Sequence, residues 1–131
     1  MQVFGKEIAT ILRGGECIEL IGDVGAGKTT LVKGIAHGLE SEDDVQSPSF
    51  TINRVYRAKN NLEIYHYDFY RLRDAGIMHH EIEESLNDPH KITIIEWAES
   101  IHSVLPENRL KLEIIATDEN VRTIKIEGAQ I

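Results

Sequence analysis

The sequence predicts one α/β domain spanning residues 1–131, with helices packed on a sheet of parallel and antiparallel strands. Three observations predict this class. A strand-like segment, a glycine-rich loop and a helix-like segment follow one another between residues 17 and 39. The segment 91–96 is rich in β-branched residues, as is typical of a central buried strand. Two further pairs of strand-like segments are each joined by a short polar turn, which predicts antiparallel hairpins at the sheet edges.

The elements of the first third follow from helical spacing and glycine stops. Residues 3–12 carry apolar side chains at helical spacing, and Gly14-Gly15 ends this first helix. Residues 17–21 form the first strand. The second helix runs from about residue 30 to Gly38-Leu39, and a polar acidic loop follows it.

The remaining elements follow from alternation and turn residues. After a break at Ser47-Pro48-Ser49, alternating side chains predict a hairpin. Its turn is Lys59-Asn60-Asn61. We then expect a helix capped by Asp74 and ending near Leu86, the central strand, a short helix after Trp97 that ends before Pro106, and a last hairpin. The predicted strands of this part are 50–57, 62–68, 91–96, 109–116 and 121–127.

Composition excludes several functional classes. The chain has 131 residues and a formal net charge of −8, which argues against a protein that binds nucleic acid by itself. Its apolar runs are too short to span a membrane, and the first residues do not resemble a signal peptide. The single Cys17 excludes a disulfide framework and is expected to be a core thiol, which fits a reducing cytoplasm.

The stretch Gly22-Asp23-Val24-Gly25-Ala26-Gly27-Lys28-Thr29 fits the phosphate-binding pattern GxxxxGK[ST]. Its glycines let the backbone approach phosphate groups, whose charge the start of the next helix also favours. Lys28 is expected at the β- and γ-phosphates, the Thr29 hydroxyl at magnesium, and Thr30 near the α-phosphate. The domain is therefore predicted to bind a nucleoside triphosphate in a P-loop NTPase-like three-layer fold.

Two acidic residues end predicted strands, where ligands bind in open α/β sheets. These are Asp68 and Glu96, and both are expected near the γ-phosphate and its magnesium ion. Which of them ligates the metal directly is open. Thr51, after the Pro48 break, is a candidate γ-phosphate sensor or a simple turn hydroxyl.

The other polar candidates are weaker. His66 alternates into the sheet and is interpreted as a half-buried packing residue rather than a catalytic one. Trp97 is likewise expected to pack beside Glu96. His79, His80 and His90 do not form a convincing metal set. Arg71, Arg73 and Arg122 are surface cations, any of which could face phosphate.

Taken together, these blocks resemble the TsaE family (also called YjeE), bacterial P-loop ATPases needed for the threonylcarbamoyl modification of adenosine in certain tRNAs. The resemblance runs nearly end to end and is carried by motifs in a fixed order. They are the phosphate loop through Thr30, Ser-Pro-Ser-Phe-Thr at 47–51, Tyr-His-Tyr-Asp-Phe-Tyr-Arg-Leu at 65–72, Ile-Ile-Glu-Trp at 94–97, Leu-Pro at 105–106, and Arg122. Ser49 and Phe69 depart from the family pattern, and the segment 78–87 is atypical.

The resemblance implies a role for each matching position. Residues 25–30 would hold the phosphates of ATP, Thr29 and Glu96 would lie at Mg²⁺, and Asp68 would lie near the metal or the attacking water. Thr51 would belong to a switch-like segment, Trp97 would lie beside the site and Arg122 close to the nucleotide. It also implies partners, the TsaB–TsaD complex and through it tRNA, with ATP hydrolysis resetting or regulating that complex.

Two alternatives stay open at this stage. One is an ATP-gated binding module that hydrolyses little, and the other is a small-molecule kinase. Guanine specificity is not supported, because the chain has no Asn-Lys-x-Asp motif.

Overall fold

Six strands form one mixed sheet at the centre of the molecule. The computed structural model describes residues 2–22, 27–43, 45, 53–69, 78–118 and 121–128. The strands are β1 Cys17–Ile21, β2 Asn53–Arg57, β3 Glu63–Asp68, β4 Lys91–Glu96, β5 Leu110–Asp118 and β6 Val121–Glu127. Their order across the sheet is β2-β3-β4-β1-β5-β6. The four inner strands are parallel, and β2 and β6 pair antiparallel at the two edges, so the predicted mixed sheet is confirmed.

Helices cover both faces of this sheet, which makes three layers. They are α1 Gln2–Ala9, α2 Lys28–Gly38 and α3 His79–Leu86, with irregular 3₁₀ segments at Lys59–Asn61 and Glu99–Val104. The pair α1 and α2 shares one hydrophobic core with one face of the sheet. The other face packs against α3 and the 99–104 segment. Across these ranges, no helix combines the length and apolar character needed to cross a bilayer.

Strand β4 is the centre of both cores. Ile92 and Ile94 face the α1–α2 side, and Ile95 faces the α3 side. All three side chains are fully buried, and each contributes about 1.5–3 kcal/mol to folding through the hydrophobic effect. This burial on both faces explains why the segment lacks the alternation of a half-exposed strand.

Helices α1 and α2 touch backbone to backbone through two glycines. A Cβ atom on Gly5 would lie 2.5 Å from the carbonyl oxygen of Leu31, and one on Gly34 would lie 2.2 Å from that of Gln2. Both distances are well below contact, so only glycine fits at either position. Helix α2, which carries the phosphate-loop lysine, thus packs directly against the backbone of α1.

The observed boundaries differ from the predicted ones by a few residues: α2 begins at Lys28 rather than near residue 30, β3 begins at Glu63 rather than 62, and β5 ends at Asp118 rather than 116. Helix α1 ends at Ala9 rather than residue 12, since Leu12 donates to the carbonyl of Ala9 in a tighter turn before Gly14. Strand β2 is described from Asn53, and α3 begins at His79. The predicted break at 47–49, the start of the first hairpin at 50–52 and the Asp74 cap lie outside the described residues.

A buried acid on the α3 side of the sheet is held by an arginine and a histidine. Glu19 of β1 accepts a hydrogen bond of 2.7 Å from Arg109 Nε and lies 2.9 Å from His102 Nε2. Burial alone would raise the pKa of Glu19, but the hydrogen bonds and charges of Arg109 and His102 outweigh it and lower that pKa from its usual 4.5. Burial raises the pKa of the neighbouring Cys17 thiol to about 12, so the predicted core thiol is confirmed.

This cluster makes the stability of the folded protein depend on pH. A carboxylate whose pKa is lowered on folding stabilises the fold fully above its unfolded value of 4.5, and that contribution is lost as the pH falls through the lower folded value. We expect the difference in free energy of unfolding between the wild type and Glu19→Gln to be largest near neutral pH and to shrink below about pH 4.5. Urea denaturation of both proteins across this range checks it. A difference that stayed constant with pH would contradict the assignment.

Candidate nucleotide-binding site

The carboxyl ends of three neighbouring parallel strands meet at one edge of the sheet. Gly22 follows β1, Asp68 ends β3 and Glu96 ends β4. In the register, Glu96 lies between Leu20 of β1 and Asp68 of β3. The two predicted acids are therefore side by side on adjacent strands, on the face that α2 covers. Ligands in open α/β sheets bind at this edge.

Helix α2 begins at the same edge, directly after the glycine loop. Gly27 has φ 108° and ψ 16°, a left-handed conformation that glycine adopts without strain. Lys28 is the first helical residue, and Thr29 and Thr30 complete the first turn. The first N–H groups of a helix have no intrahelical acceptor and carry its positive dipole end, so this turn favours an anion.

Lys28 already contacts the strand ends. Its Nζ atom donates a hydrogen bond to the carbonyl oxygen of Gly22 and lies 3.7 Å from Glu96 Oε1. It also lies 4.7 Å from the centroid of the Trp97 ring, within cation–π range. Both charged side chains are buried. A buried ammonium group beside a strand-end carboxylate is the charge arrangement that a triphosphate and its metal would enter.

The second oxygen of Glu96 has a different partner. Glu96 Oε2 lies 2.6 Å from Nε2 of His66, a side chain of β3 with 0% exposure. A buried carboxylate is costly unless it is paired and hydrogen-bonded, and here Lys28 and His66 serve one oxygen each. The sequence prediction of a half-buried His66 is wrong, because α1 and α2 cover this face of β3 as completely as the other elements cover the opposite one.

Trp97 turns the chain away from the sheet immediately after Glu96. Its φ of 57° lies in the left-handed region, which is uncommon for a bulky residue and recurs at functional sites. The turn brings the indole ring over Lys28 while the ring also packs on the second core. The expectation that Trp97 packs beside Glu96 is confirmed.

The donors at this edge fit magnesium and do not form a protein-only metal cage. In the described ranges, no three His, Cys, Asp or Glu side chains are placed to hold one ion. Magnesium is usually held by one or two carboxylates, with water and substrate phosphates completing its shell. Asp68 and Glu96, adjacent in the register, and the hydroxyl of Thr29 in the first turn of α2 supply oxygen donors of that kind.

The remaining predicted site residues are Arg122 and four residues outside the described part of the chain. Arg122 belongs to the edge strand β6, opposite Ala116 near the end of β5. It is therefore at the same edge of the sheet, but its guanidinium group donates to the carbonyl of Asp118. Four predicted nucleotide contacts lie outside the described residues: Asp23, Gly25, Ala26 and Thr51.

The sequence matches a known protein family over most of its length. A family model described as "Threonylcarbamoyl adenosine biosynthesis protein TsaE" matches residues 1–124. The chain belongs to the TsaE family. Its role therefore lies in threonylcarbamoyl adenosine biosynthesis, and the family predicted from the sequence motifs is confirmed.

Individual TsaE proteins are similar over most of their length. The chain is 35% identical to the tRNA threonylcarbamoyladenosine biosynthesis protein TsaE of Streptomyces coelicolor, over 98% of this chain and 90% of that protein. It is also 35% identical to the protein of that name from Bacillus subtilis, over 94% and 76%. A crystal structure of Bacillus subtilis YdiB superposes with a TM-score of 0.70 at 32% identity, covering 94% of this chain and 74% of that one.

Proposed function

We propose that this TsaE protein is a magnesium-dependent ATPase that serves threonylcarbamoyladenosine modification of tRNA in the cytoplasm, acting with a TsaB–TsaD complex. One observation carries the catalytic part: the ion pair between Lys28, at the start of α2, and Glu96, at the end of β4. The names of its relatives support the tRNA pathway. The family resemblance supports the choice of ATP and of the partner complex.

Binding of ATP replaces contacts that Lys28 makes within the chain. In this structure its charge is directed to Gly22 O, Glu96 and the Trp97 ring. We infer that the ammonium group turns to the β- and γ-phosphates, which are stronger partners for a point charge than a carbonyl oxygen. The exchange releases Oε1 of Glu96 from its pairing with lysine at the moment when the triphosphate enters.

Hydrolysis then depends on positioning more than on covalent chemistry. Magnesium bound at this edge would neutralise charge on the phosphate oxygens. Thr29, Asp68 and Glu96 would hold it, and one of the two carboxylates would orient the attacking water. Their backbone positions are fixed by parallel pairing of β3 with β4, and the amide of Phe69 donates to the carbonyl of Glu96 at 3.1 Å. Such preorganised groups lower the barrier because they need no rearrangement during reaction.

We infer that hydrolysis by the isolated chain is slow. Arginine fingers accelerate related reactions by factors of about 10³–10⁵. Among the described residues, Arg13 donates to Thr10 O, Arg109 to Glu19 and Arg122 to Asp118 O, and the sequence assigns no arginine finger. The candidates Arg71 and Arg73 lie outside the described residues. A partner that completes the site would therefore raise the rate.

The test compares ATP turnover by the chain alone and with purified TsaB–TsaD. We expect hydrolysis that requires Mg²⁺ and that rises at least about tenfold with the complex. This threshold lies well below the factor of about 10³–10⁵ that an arginine finger contributes. Equal, fast turnover in both samples would defeat activation by a partner. Tight ATP binding without turnover in either sample would defeat the ATPase proposal and favour the nucleotide-gated binding module.

A further inference from the structure

Among the described residues, the side chain of His66 forms its hydrogen bond with Glu96. The side chain is fully buried on β3, and its Nε2 atom lies 2.6 Å from Glu96 Oε2. Within the described part of the chain, the second ring nitrogen, Nδ1, has no hydrogen-bond partner. A buried polar atom without a partner is destabilising, so a histidine used only for packing would be less favourable here than an apolar side chain. The contact with Glu96 is what distinguishes this position from its apolar neighbours.

The direction of that hydrogen bond follows from chemistry. An ionised carboxylate only accepts hydrogen bonds, so Nε2 of His66 carries the proton and donates it to Oε2. Lys28 Nζ is nearest to the other oxygen, Oε1, at 3.7 Å. The two oxygens of Glu96 are therefore not equivalent. Oε2 is bound to a rigid ring buried in the sheet, and Oε1 faces the start of α2.

The backbone reinforces this arrangement. His66 pairs with Ile94 of β4, two residues before Glu96, and Asp68 pairs with Glu96 itself. The imidazole ring of His66 therefore reaches diagonally across to β4, from a position two residues before the end of β3, to contact Glu96. Because β3 and β4 are both central and parallel, the position of the ring is fixed by the sheet rather than by a loop.

We propose that His66 is a positioning residue that fixes Glu96 through Oε2 and so presents Oε1 to magnesium once Lys28 has turned to the triphosphate. This inference rests on the proposed magnesium-dependent function. It assigns His66 no contact with nucleotide. Hydrogen-bond partners of metal-ligating carboxylates typically affect metal affinity or activity by about 10–100-fold, and we expect an effect of that size here.

The experiment measures the Mg²⁺ concentration that half-saturates the protein in the presence of an excess of a non-hydrolysable ATP analogue. Trp97 is the chain's one tryptophan and lies 4.7 Å from Lys28 Nζ, so its fluorescence gives a binding signal that does not depend on turnover. Titration calorimetry provides a second signal. His66→Leu removes the donor, whereas His66→Gln retains an amide N–H near the place of Nε2. Ile64→Val is the matched control, because Ile64 is equally buried on the same face of β3 and belongs to the apolar core.

We expect His66→Leu to raise the half-saturating Mg²⁺ concentration about 10–100-fold. Ile64→Val and His66→Gln should remain within about threefold of the wild type, although each lowers the melting temperature. An unchanged Mg²⁺ requirement in His66→Leu would overturn the proposal, and so would a His66→Gln protein as impaired as His66→Leu. Should His66→Leu fail to fold, His66→Asn replaces it, since the shorter amide occupies the place of Nδ1 and cannot reach Glu96.

The wild type separates this inference from the function on which it rests. If wild-type protein shows no Mg²⁺-dependent binding of the ATP analogue or of ATP, the proposed function fails before any variant is compared. If the wild type binds and His66→Leu binds equally well, the positioning role alone fails.

Discussion

Replacing Lys28 with alanine should weaken ATP binding by about 100-fold. A charge-assisted hydrogen bond contributes about 1.5–3 kcal/mol, and a loss near the upper end corresponds to this factor. The reason is local: Lys28 is the buried cation at the start of α2, where the helix dipole also favours phosphate. Calorimetric titration of ATP with the purified variant measures the change.

Lys33→Ala is the matched control for Lys28→Ala. It removes the same charge from the same helix, five residues further on and away from the strand ends. Because Lys28→Ala also deprives Glu96 of its ion pair, a thermal melt should accompany the titration, and Lys28→Met keeps most of the side-chain volume. If Lys28→Ala folds and still binds ATP as tightly as Lys33→Ala, the phosphate-loop assignment is wrong.

Glu96→Gln should lower the rate of ATP hydrolysis about 10²–10³-fold while changing ATP affinity less than about tenfold. The amide removes the negative charge that we assign to magnesium and the attacking water, but Lys28 and the first turn of α2 still bind phosphate. Steady-state turnover with the partner complex, together with ATP affinity measured separately, distinguishes the two effects.

Glu19→Gln controls for the removal of a buried acid. Glu19 is as buried as Glu96 and lies on the neighbouring strand, but on the opposite face of the sheet with Arg109 and His102. It should lose stability and keep its turnover at a temperature where it is folded. Equal loss of turnover in both variants would mean that Glu96 acts through stability rather than through catalysis.

Much of this fold is predictable from the sequence because local pattern and tertiary environment agree. The β-branched run at 91–96 indicates a strand buried on two faces, and β4 is that strand. The polar turn at Lys59–Asn61 indicates a hairpin, and β2 and β3 form it. The phosphate loop indicates the start of α2, and Lys28 is its first residue. In each case a short segment contains its own structural signal.

The side-chain partners were less predictable, because they are set by strand order. His66 and Glu96 are thirty residues apart in the sequence, and they meet because β3 lies next to β4 in the sheet. The same holds for Glu19, whose hydrogen-bond partners are His102 and Arg109. The sequence does contain a signal for the pairing of Glu19. An acid inside the apolar strand 17–21 requires a buried partner, although the sequence does not say which residue supplies it.

The glycine contact between α1 and α2 has a mechanical consequence. Gly5 and Gly34 leave no side chain between the two backbones, so there is no rotamer whose change could absorb a displacement of one helix relative to the other. We therefore expect a displacement of α1 to shift α2 with it, and with α2 the ammonium group of Lys28 at its first residue.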